Sequence, residues 1–436
     1  MEFEKIVRDP LLGYVQLTRQ EVMLIDTPLF QRLRRIKQLA YTHLVYPAAV
    51  HSRFEHSLGV LETAFRIAQR IPSLNSDTDK LRRIRYAALL HDLGHGPYSH
   101  VFEDAIARFT KNPKFSHEQI TRDILQTNNE VRSIINPDVD GVLDLLKEGQ
   151  KNRVEYGIIS GPLDADKLDY LQRDSYHAGV AYGVFDAVRV LYTLKEIKGK
   201  VLGAEESYLG ADMKGREAII GMLLAHYYMH EAVYSHKTRR IADAMLIRSI
   251  ELALREKTLD QNFFDYKPED SEFLGNYQAL DDQKLDDILL KTSKGEALAI
   301  TQNLKNRVLF KAALGKDLSA FEPRRRDYFL RMGLPEIEKL EEQIGEHIKV
   351  DPSRVIMDRQ SIMNPLYREP GGIPPRVEQI LFQEKGKSPK ELSDVPSPIS
   401  GTAMKFVERL WVFVPVKNNE EKERIGKELD TFLSSW

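Results

Sequence analysis

A mainly α-helical fold with a smaller α+β C-terminal region is predicted by three features of the sequence. Apolar residues recur at helical spacing through most of the first 348 residues, Ser, Thr and Asp stand where several of those runs begin, and from about residue 349 short β-branched and aromatic runs take over. With 436 residues, 42% of them hydrophobic, the chain can fill one large core, assigned to 1–348, and a smaller unit, 349–436.

The first helix is expected in "TPLFQRLRRIKQLA" (27–40), with Thr27 as N-cap, Pro28 at the first helical position, and Leu29, Leu33, Ile36 and Ala40 on one face. "HSLGVLETAFRIAQRI" follows, with Leu61, Ala64, Ala68 and Ile71 at helical spacing. A third helix starts after Asp77 or Thr78, runs through "KLRRIRYAALL" and ends near His91, because Gly94, Gly96 and Pro97 cannot continue it. Ser116 and Gln119 have the spacing of a capping box. Helical patterns recur at 163–178, 215–255, 282–293, 296–313 and 335–347. "IKVDPSRVIMD" and "RLWVFVPV" read as strands, "NEEKERIGKELDTFLSS" as a helix, and the Pro/Gly/Ser-rich stretch 369–402 as loop. No internal repeat is visible.

A formal charge of −2 and a pI near 6.7 give no global field that would recruit nucleic acid or an anionic membrane. Anion binding must then come from local clusters such as "RLRRIKQ" (32–38), "LRRIRY" (81–86), "SHKTRR" (235–240) and "EPRRRDYFLR" (322–331). Cysteine is absent, which excludes disulfides, thiolate metal ligands and cysteine nucleophiles. The N-terminus lacks an apolar signal region, and no apolar run approaches the roughly 18 residues that span a bilayer, so a cytoplasmic protein without a membrane partner is expected.

The chemistry concentrates in "AALLHDLGHGPYSH" (87–100), where three histidines and an aspartate fall at the end of a helix. His91 and Asp92 offer nitrogen and oxygen donors at one point, His56 stands at the start of the preceding helix, and Asp164, Asp166 and Asp169 follow downstream. Two imidazoles and two carboxylates suit Fe, Mn, Zn, Ni, Co or Mg with positions left open for water. Spacing alone does not choose among the three downstream aspartates. Polar side chains set directly behind an "AALL" face would be costly to bury unless paired or bound to something. Asp166, Tyr170 and Asp174 recur every four residues, on one helix face with Lys167 beside it.

The order "RFEHSLGV", "HDLGHGPYSH", "SHEQ", "LDADKLDYLQRD" resembles the HD-domain phosphohydrolases and, more closely, is similar to the deoxynucleoside triphosphate triphosphohydrolases typified by the sterile-alpha-motif and HD-domain protein. "IDTPLFQRLRRIKQLA", "YSHK" and "NRVLFK" extend the likeness from residue 5 to about 311, and no segment reads as a sterile-alpha-motif module. The resemblance implies an HD-domain helical core that hydrolyses a dNTP to deoxynucleoside and inorganic triphosphate. It implies His56, His91, Asp92 and Asp166 as ligands of a divalent metal, which would polarise the α-phosphate and acidify a bound water, with Mg accompanying the nucleotide phosphates.

The leaving 5′-oxygen needs a proton, and His100 with Glu103 one turn on is the expected donor pair. The family commonly has aspartate where Glu103 stands. His95 and His117 resemble the family's other pocket histidines, Arg53, Lys167 and Tyr170 its phosphate contacts, and Asp174 with Gln38 its contacts to the 3′-hydroxyl. Leu39 and Tyr234 match positions that crowd the sugar's 2′ carbon, whereas His226 stands where a relative carries a phosphate-binding arginine.

Lys5, Asp26, Gln31 and Arg34 resemble a guanine-nucleotide activator site. Arg189, Lys237, Arg307 and Lys311 resemble a second nucleotide site formed between subunits. A homo-oligomer, with a tetramer as its expected form, activated by GTP or a dNTP follows from these matches, and no nucleic-acid partner is expected. Two other readings compete. One is a nucleotidase or phosphodiesterase of the same superfamily. The other is a nucleotide-sensing or single-stranded nucleic-acid-binding assembly using "RLRRIKQ" and "PRRRDYFLR" as its phosphate-contacting surface.

Overall fold

The structure is a computed structural model that describes residues 1–109, 115–147, 153–201, 204–264, 266, 270–362, 380–395 and 407–435. Helices dominate it, as the apolar spacing predicts. At the centre lies the helix Arg53–Arg70, begun by a reciprocal capping box between Ser52 and Glu55. It packs against Thr78–Leu90, which Asp77 caps, and against Ala165–Ala178, which Asp164 caps. The glycine at 59 permits the closest of these approaches, since a Cβ there would fall 2.0 Å from Asp169 Oδ1 and 2.3 Å from Arg173 Nη2. Gly59→Ala is therefore expected to wedge two helices apart at a point where neither buried partner can swing away, costing about 1–3 kcal/mol as overpacking does. Thermal unfolding checks this.

Several helices end where the sequence pattern would have carried them on. The helix expected over 27–40 stops at Arg32, tightens into a 3₁₀ turn at Leu33–Arg35, and gives way to an extended Ile36. The reason is long-range pairing: Lys37 bridges Ser52, the Gln38 N–H donates to the His51 carbonyl, and the Arg53 N–H donates to Ile36. Leu29, Leu33, Ile36 and Ala40 are nonetheless all buried, so the apolar positions were right and the helical period was not. The run 215–255 divides into Arg216–Met229, a π-helical turn His230–Tyr234, and Lys237–Arg255. The run 296–313 ends at Lys305; Arg307 takes a left-handed φ of 57°, and Lys311–Asp317 is a strand. Ser116 caps His117–Thr127 by accepting from the Gln119 N–H, but the Gln119 side chain turns to Asp123, so only half of the expected box forms. The antiparallel hairpins Lys5–Asp9 with Gly13–Leu17, and Leu194–Val201 with Ala204–Asp212, had no reading in the sequence.

A second apolar cluster joins Leu314, Phe329, Leu340 and Ile344 to Met357, Val412, Ile425 and Leu429. Its sheet has Val407–Val414 in the middle, antiparallel to Lys311–Asp317 on one side and Ile356–Ile362 on the other. The helices Leu334–Ile348 and Asn419–Ser435 contribute to the same cluster. Residues on both sides of position 349 thus share one core, and we propose that the smaller unit begins near Lys311. Of the stretch 369–402, residues 369–379 and 396–402 lie outside the described residues; between them Leu381–Gln383 and Lys390–Glu391 pair as short strands instead of continuing as loop.

Three of the four basic stretches spend part of their charge inside the fold. Arg32 is fully buried and donates to the carbonyls of Leu280 and His95, while Arg85 forms a buried fork with Glu21. Arg82 and Arg83 share Asp138, Arg239 meets Asp243, and Arg240 grips Asp358. Of the cations in "RLRRIKQ", Arg32 is therefore withdrawn from any phosphate-contacting surface, whereas Arg34 and Arg35 stay exposed. Among the described residues no helix is long and apolar enough to cross a membrane.

Candidate active site

A cavity of about 460 Å³ opens where the helices Arg53–Arg70, Thr78–Leu90 and Ala165–Ala178 converge. His91 caps the second of these helices, and its Nδ1 lies 2.7 Å from the Ala88 carbonyl, which aims Nε2 outward. That Nε2 is buried and has no hydrogen-bond partner among the described residues. It lies 3.3 Å from Asp92 Oδ1 and 3.9 Å from Asp166 Oδ1, and His56 Nε2 lies 3.0 Å from Asp166 Oδ1 and 3.7 Å from Asp92 Oδ2. Donor atoms of His56, His91 and Asp92 all fall within 4.8 Å of one another, as ligands of one ion do.

The three candidate aspartates separate by what they touch. Asp164 caps its helix and binds the Lys167 ammonium at 2.6 Å; Asp169 accepts from His56 Nδ1 at 2.9 Å and is forked by Arg173; Asp166 alone of the three faces the His56 Nε2 side.

The electrostatics calls for positive charge at this point. Burial disfavours a proton on His56, yet Asp166, then Asp169 and Asp92, push its pKa up to about 10. Burial alone would likewise raise the Asp92 carboxyl, but Arg53, then His91 and His95, hold it well below the usual carboxylate range. The orphaned His91 Nε2 and the mixed nitrogen and oxygen donors fit a divalent transition metal.

Beside this group, with His95 Nε2 3.3 Å from Asp92 Oδ1, four side chains form a second cluster, His95, His100, Glu103 and His117. Glu103 Oε2 accepts from His100 Nδ1 at 2.7 Å and Oε1 from His117 Nδ1 at 2.6 Å, so the longer acid reaches both rings. Burial would lift the Glu103 carboxyl, but His117 and His100 keep it well below its ordinary value. Burial opposes charge on His117, and Glu103 overrides it, raising that imidazole. His95 stacks on His117 with centroids 3.7 Å apart, and burial and then Arg53 hold it well below the ordinary value, hence neutral.

The remaining predicted contacts line the same cavity: Gln38, Leu39, Arg53, Lys167, Tyr170, Asp174 and Tyr234. Arg53 donates to Asp92 Oδ2 at 2.6 Å and to Ser99 Oγ at 2.8 Å. Asp174 is less open than its expected role suggests, because the Tyr234 hydroxyl donates to Oδ2 and His51 Nε2 lies 2.7 Å from Oδ1. His226 sits 3.2 Å from the Tyr170 hydroxyl, and burial, then His230 and Lys167, lower its pKa to about 3, so it supplies no cation at neutral pH.

The residues matched to activator sites lie apart from the cavity. Lys5, Asp26 and Arg34 are exposed, Gln31 accepts from Arg34 Nε at 2.8 Å, and Arg34 lies over the Phe54 ring. Arg189, Lys237, Arg307 and Lys311 are exposed on separate elements; Arg189 donates to the Lys214 carbonyl and Arg307 to that of Leu44.

Sequence reasoning missed the supports. Arg173 joins Asp169 to Asp9, His51 holds Asp174, and Arg239, on the cavity wall, donates to the Tyr234 carbonyl. Asp169 and Arg173 carry a signal, an i,i+4 pair of opposite charge; His51 carries none.

Two family models match the chain: the HD domain over residues 53–174 and the HD associated region over 200–367. An uncharacterized protein of Methanocaldococcus jannaschii is 32% identical over 99% of this chain and 86% of its own length. A deoxynucleoside triphosphate triphosphohydrolase homologue of Dictyostelium discoideum is 31% identical over 70% of this chain and 59% of its own. A phosphohydrolase crystal structure from Bacteroides thetaiotaomicron superposes with a TM-score of 0.73 at 25% identity, covering 94% of this chain and 99% of that one. The archaeal protein apart, the chain spans about half the length of the curated relatives it matches, 56% for one from Bacillus subtilis and 44% for the triphosphohydrolase of Mus musculus.

Proposed function

The chain belongs to the HD-domain family of phosphohydrolases, and from that premise we propose that it hydrolyses dNTP to deoxynucleoside and inorganic triphosphate. One observation carries the reading: a single cavity is lined by His95, His100 and His117, the last two joined by Glu103, and by three of the four donors His56, His91, Asp92 and Asp166, His56 being buried behind Asp166, with room for a phosphoester. Those four residues would hold a divalent ion, whose chemistry there is Lewis acidity toward the α-phosphate. Arg53 balances the Asp92 charge and fixes its orientation. His100 or His117, each held by Glu103, protonates the departing 5′-oxygen. Tyr170 and Lys167 meet the phosphates, Gln38 and Asp174 the 3′-hydroxyl, and Leu39 with Tyr234 leaves no space for a 2′-hydroxyl.

Regulation follows the same family logic. Lys5, Gln31 and Arg34 would hold an activating nucleotide whose guanine edge Asp26 reads. Arg189, Lys237, Arg307 and Lys311 would bind a second between subunits, where its phosphates neutralise cations that otherwise repel, so that binding favours a homo-oligomer.

One finding favours a second reading, a nucleotidase or phosphodiesterase acting on fewer phosphates. The Lys167 ammonium is already met by Asp164 and His226 is neutral, which thins the positive charge available to a triphosphate tail. Chromatography of the products formed from mixed dNTPs with Mn or Mg separates the two. Nucleoside plus triphosphate is expected; monophosphate plus pyrophosphate, or stepwise loss of phosphate, overturns the reading. In the same assay, a GTP and dGTP titration followed by light scattering is expected to raise rate and mass together, and Asp26→Ala with Arg34→Ala to remove both responses.

A further inference from the structure

The carboxylate of Asp282, in the first turn of the helix Asp282–Thr292, meets two segments far from it in sequence. Oδ1 accepts the Tyr98 N–H at 2.7 Å, and Oδ2 accepts the Lys37 N–H at 3.1 Å with the Lys37 ammonium at 3.5 Å. Each of those N–H groups comes one or two residues before a side chain that lines the cavity. Gln38 and Leu39 follow Lys37, and Ser99 and His100 follow Tyr98. Ser99 closes the tie, since its Oγ accepts from Arg53 Nε at 2.8 Å and donates to the Lys37 carbonyl at 2.9 Å. Tyr98 and Ser99 both take left-handed φ values, 55° and 57°, a conformation that side-chain-bearing residues keep only where their surroundings enforce it.

We propose that Asp282 is a positioning residue that sets the register between the sugar-facing segment 37–39 and the acid-bearing loop 98–100, and thereby the rejection of a 2′-hydroxyl. This rests on the reading of the cavity as a dNTP site. Both carboxylate oxygens are in use, and both accept from backbone. An asparagine amide has the same shape but only one acceptor, so whichever N–H faces its NH₂ loses its partner and meets a donor. The consequence is local. A wall that shifts by a fraction of an ångström relaxes the space beside the 2′ carbon, whereas general destabilisation would lower turnover of deoxy- and ribonucleotide alike.

The test compares kcat/KM for dGTP and GTP at fixed metal. Asp282→Asn is expected to lower the dGTP-to-GTP ratio about tenfold, the effect of one lost buried hydrogen bond, with metal content unchanged. Lys37→Met, which keeps the backbone N–H and deletes only the ammonium, should hold the ratio within about twofold of wild type. If Asp282→Asn does not fold, Ser99→Ala cuts the same tie at the Lys37 carbonyl and should lower the ratio in the same direction. A selective wild type whose selectivity survives the change, or a ratio that falls equally in Lys37→Met, overturns this inference and leaves the dNTP reading standing. A wild type that hydrolyses GTP and dGTP equally overturns that reading, and this inference with it.

Discussion

Asp92→Ala is expected to abolish hydrolysis and metal binding together. The side chain is buried, with one oxygen 2.6 Å from Arg53 and the other within 3.3 Å of both His91 and His95. Its loss removes a proposed ligand and also leaves the Arg53 guanidinium, still bonded to Ser99 Oγ, buried without a countercharge, which costs about 3–5 kcal/mol when one partner of a buried pair is deleted. Asp92→Asn separates the two effects. It preserves shape and a neutral acceptor for Arg53, so it should stay folded while binding metal far more weakly. Metal content by plasma emission spectroscopy, read beside thermal unfolding and turnover, decides the matter. A folded Asp92→Asn protein with full metal content and full rate would remove Asp92 from the site.

The second large effect concerns the proton given to the leaving group. His100→Ala should lower kcat by about 10²–10⁴, the usual contribution of a general acid. His100 is 61% exposed on the cavity rim and His117 19% exposed, and both rings share one carboxylate, so either can serve. They are distinguishable by pH. An acid must be protonated to act, and Glu103 raises the His117 pKa against the pull of burial. Whatever rate survives in His100→Ala should therefore persist above the ordinary imidazole range and fall only as pH rises through that raised value. His117→Ala removes the imidazole so raised, and its profile is the reference for that limb. Glu103→Gln removes the charge that raises His117 and should move the alkaline limb toward lower pH. Profiles of kcat against pH for the three variants check this, and a limb common to all three would place the acid elsewhere.

Many of the residues that line the cavity were legible from sequence, whereas Arg239 and His230 on the same wall, and those that hold the site in place, were not. His91 and Asp92 announce themselves because a helix that must end before two glycines and a proline leaves its polar residues at one point. The face Asp166, Tyr170, Asp174 follows from helical period. Which aspartate faces His56 does not, because that depends on Asp164 being consumed by its cap and Asp169 by Arg173. The misplaced helix over 27–40 has the same origin. Its apolar positions are correct, but Ile36, Lys37 and Gln38 leave the helix to pair with residues 51–53, and nothing local signals partners thirteen to seventeen residues on. Arg32 and Asp282, which tie the loop after His91 to residues near 280, are more remote still, with 248 positions between Arg32 and Leu280 and 184 between Tyr98 and Asp282. Local pattern reports burial and helix ends; contacts of that separation are set by the finished fold.

The strand Val407–Val414 is the last strand of the chain and the middle of its sheet, between Lys311–Asp317 and Ile356–Ile362. During synthesis the two flanking strands emerge first and have no neighbour of their own sheet to bond. For the time the ribosome takes to add the 44 intervening residues, a few seconds at about 5–20 residues per second, both present open edges and an uncovered apolar face. The helical core can close around the cavity in that interval, while the smaller unit must wait for its keystone. Nascent chains paused between residues 362 and 407 are the ones in which edge-to-edge association between neighbouring copies competes with completion of the sheet.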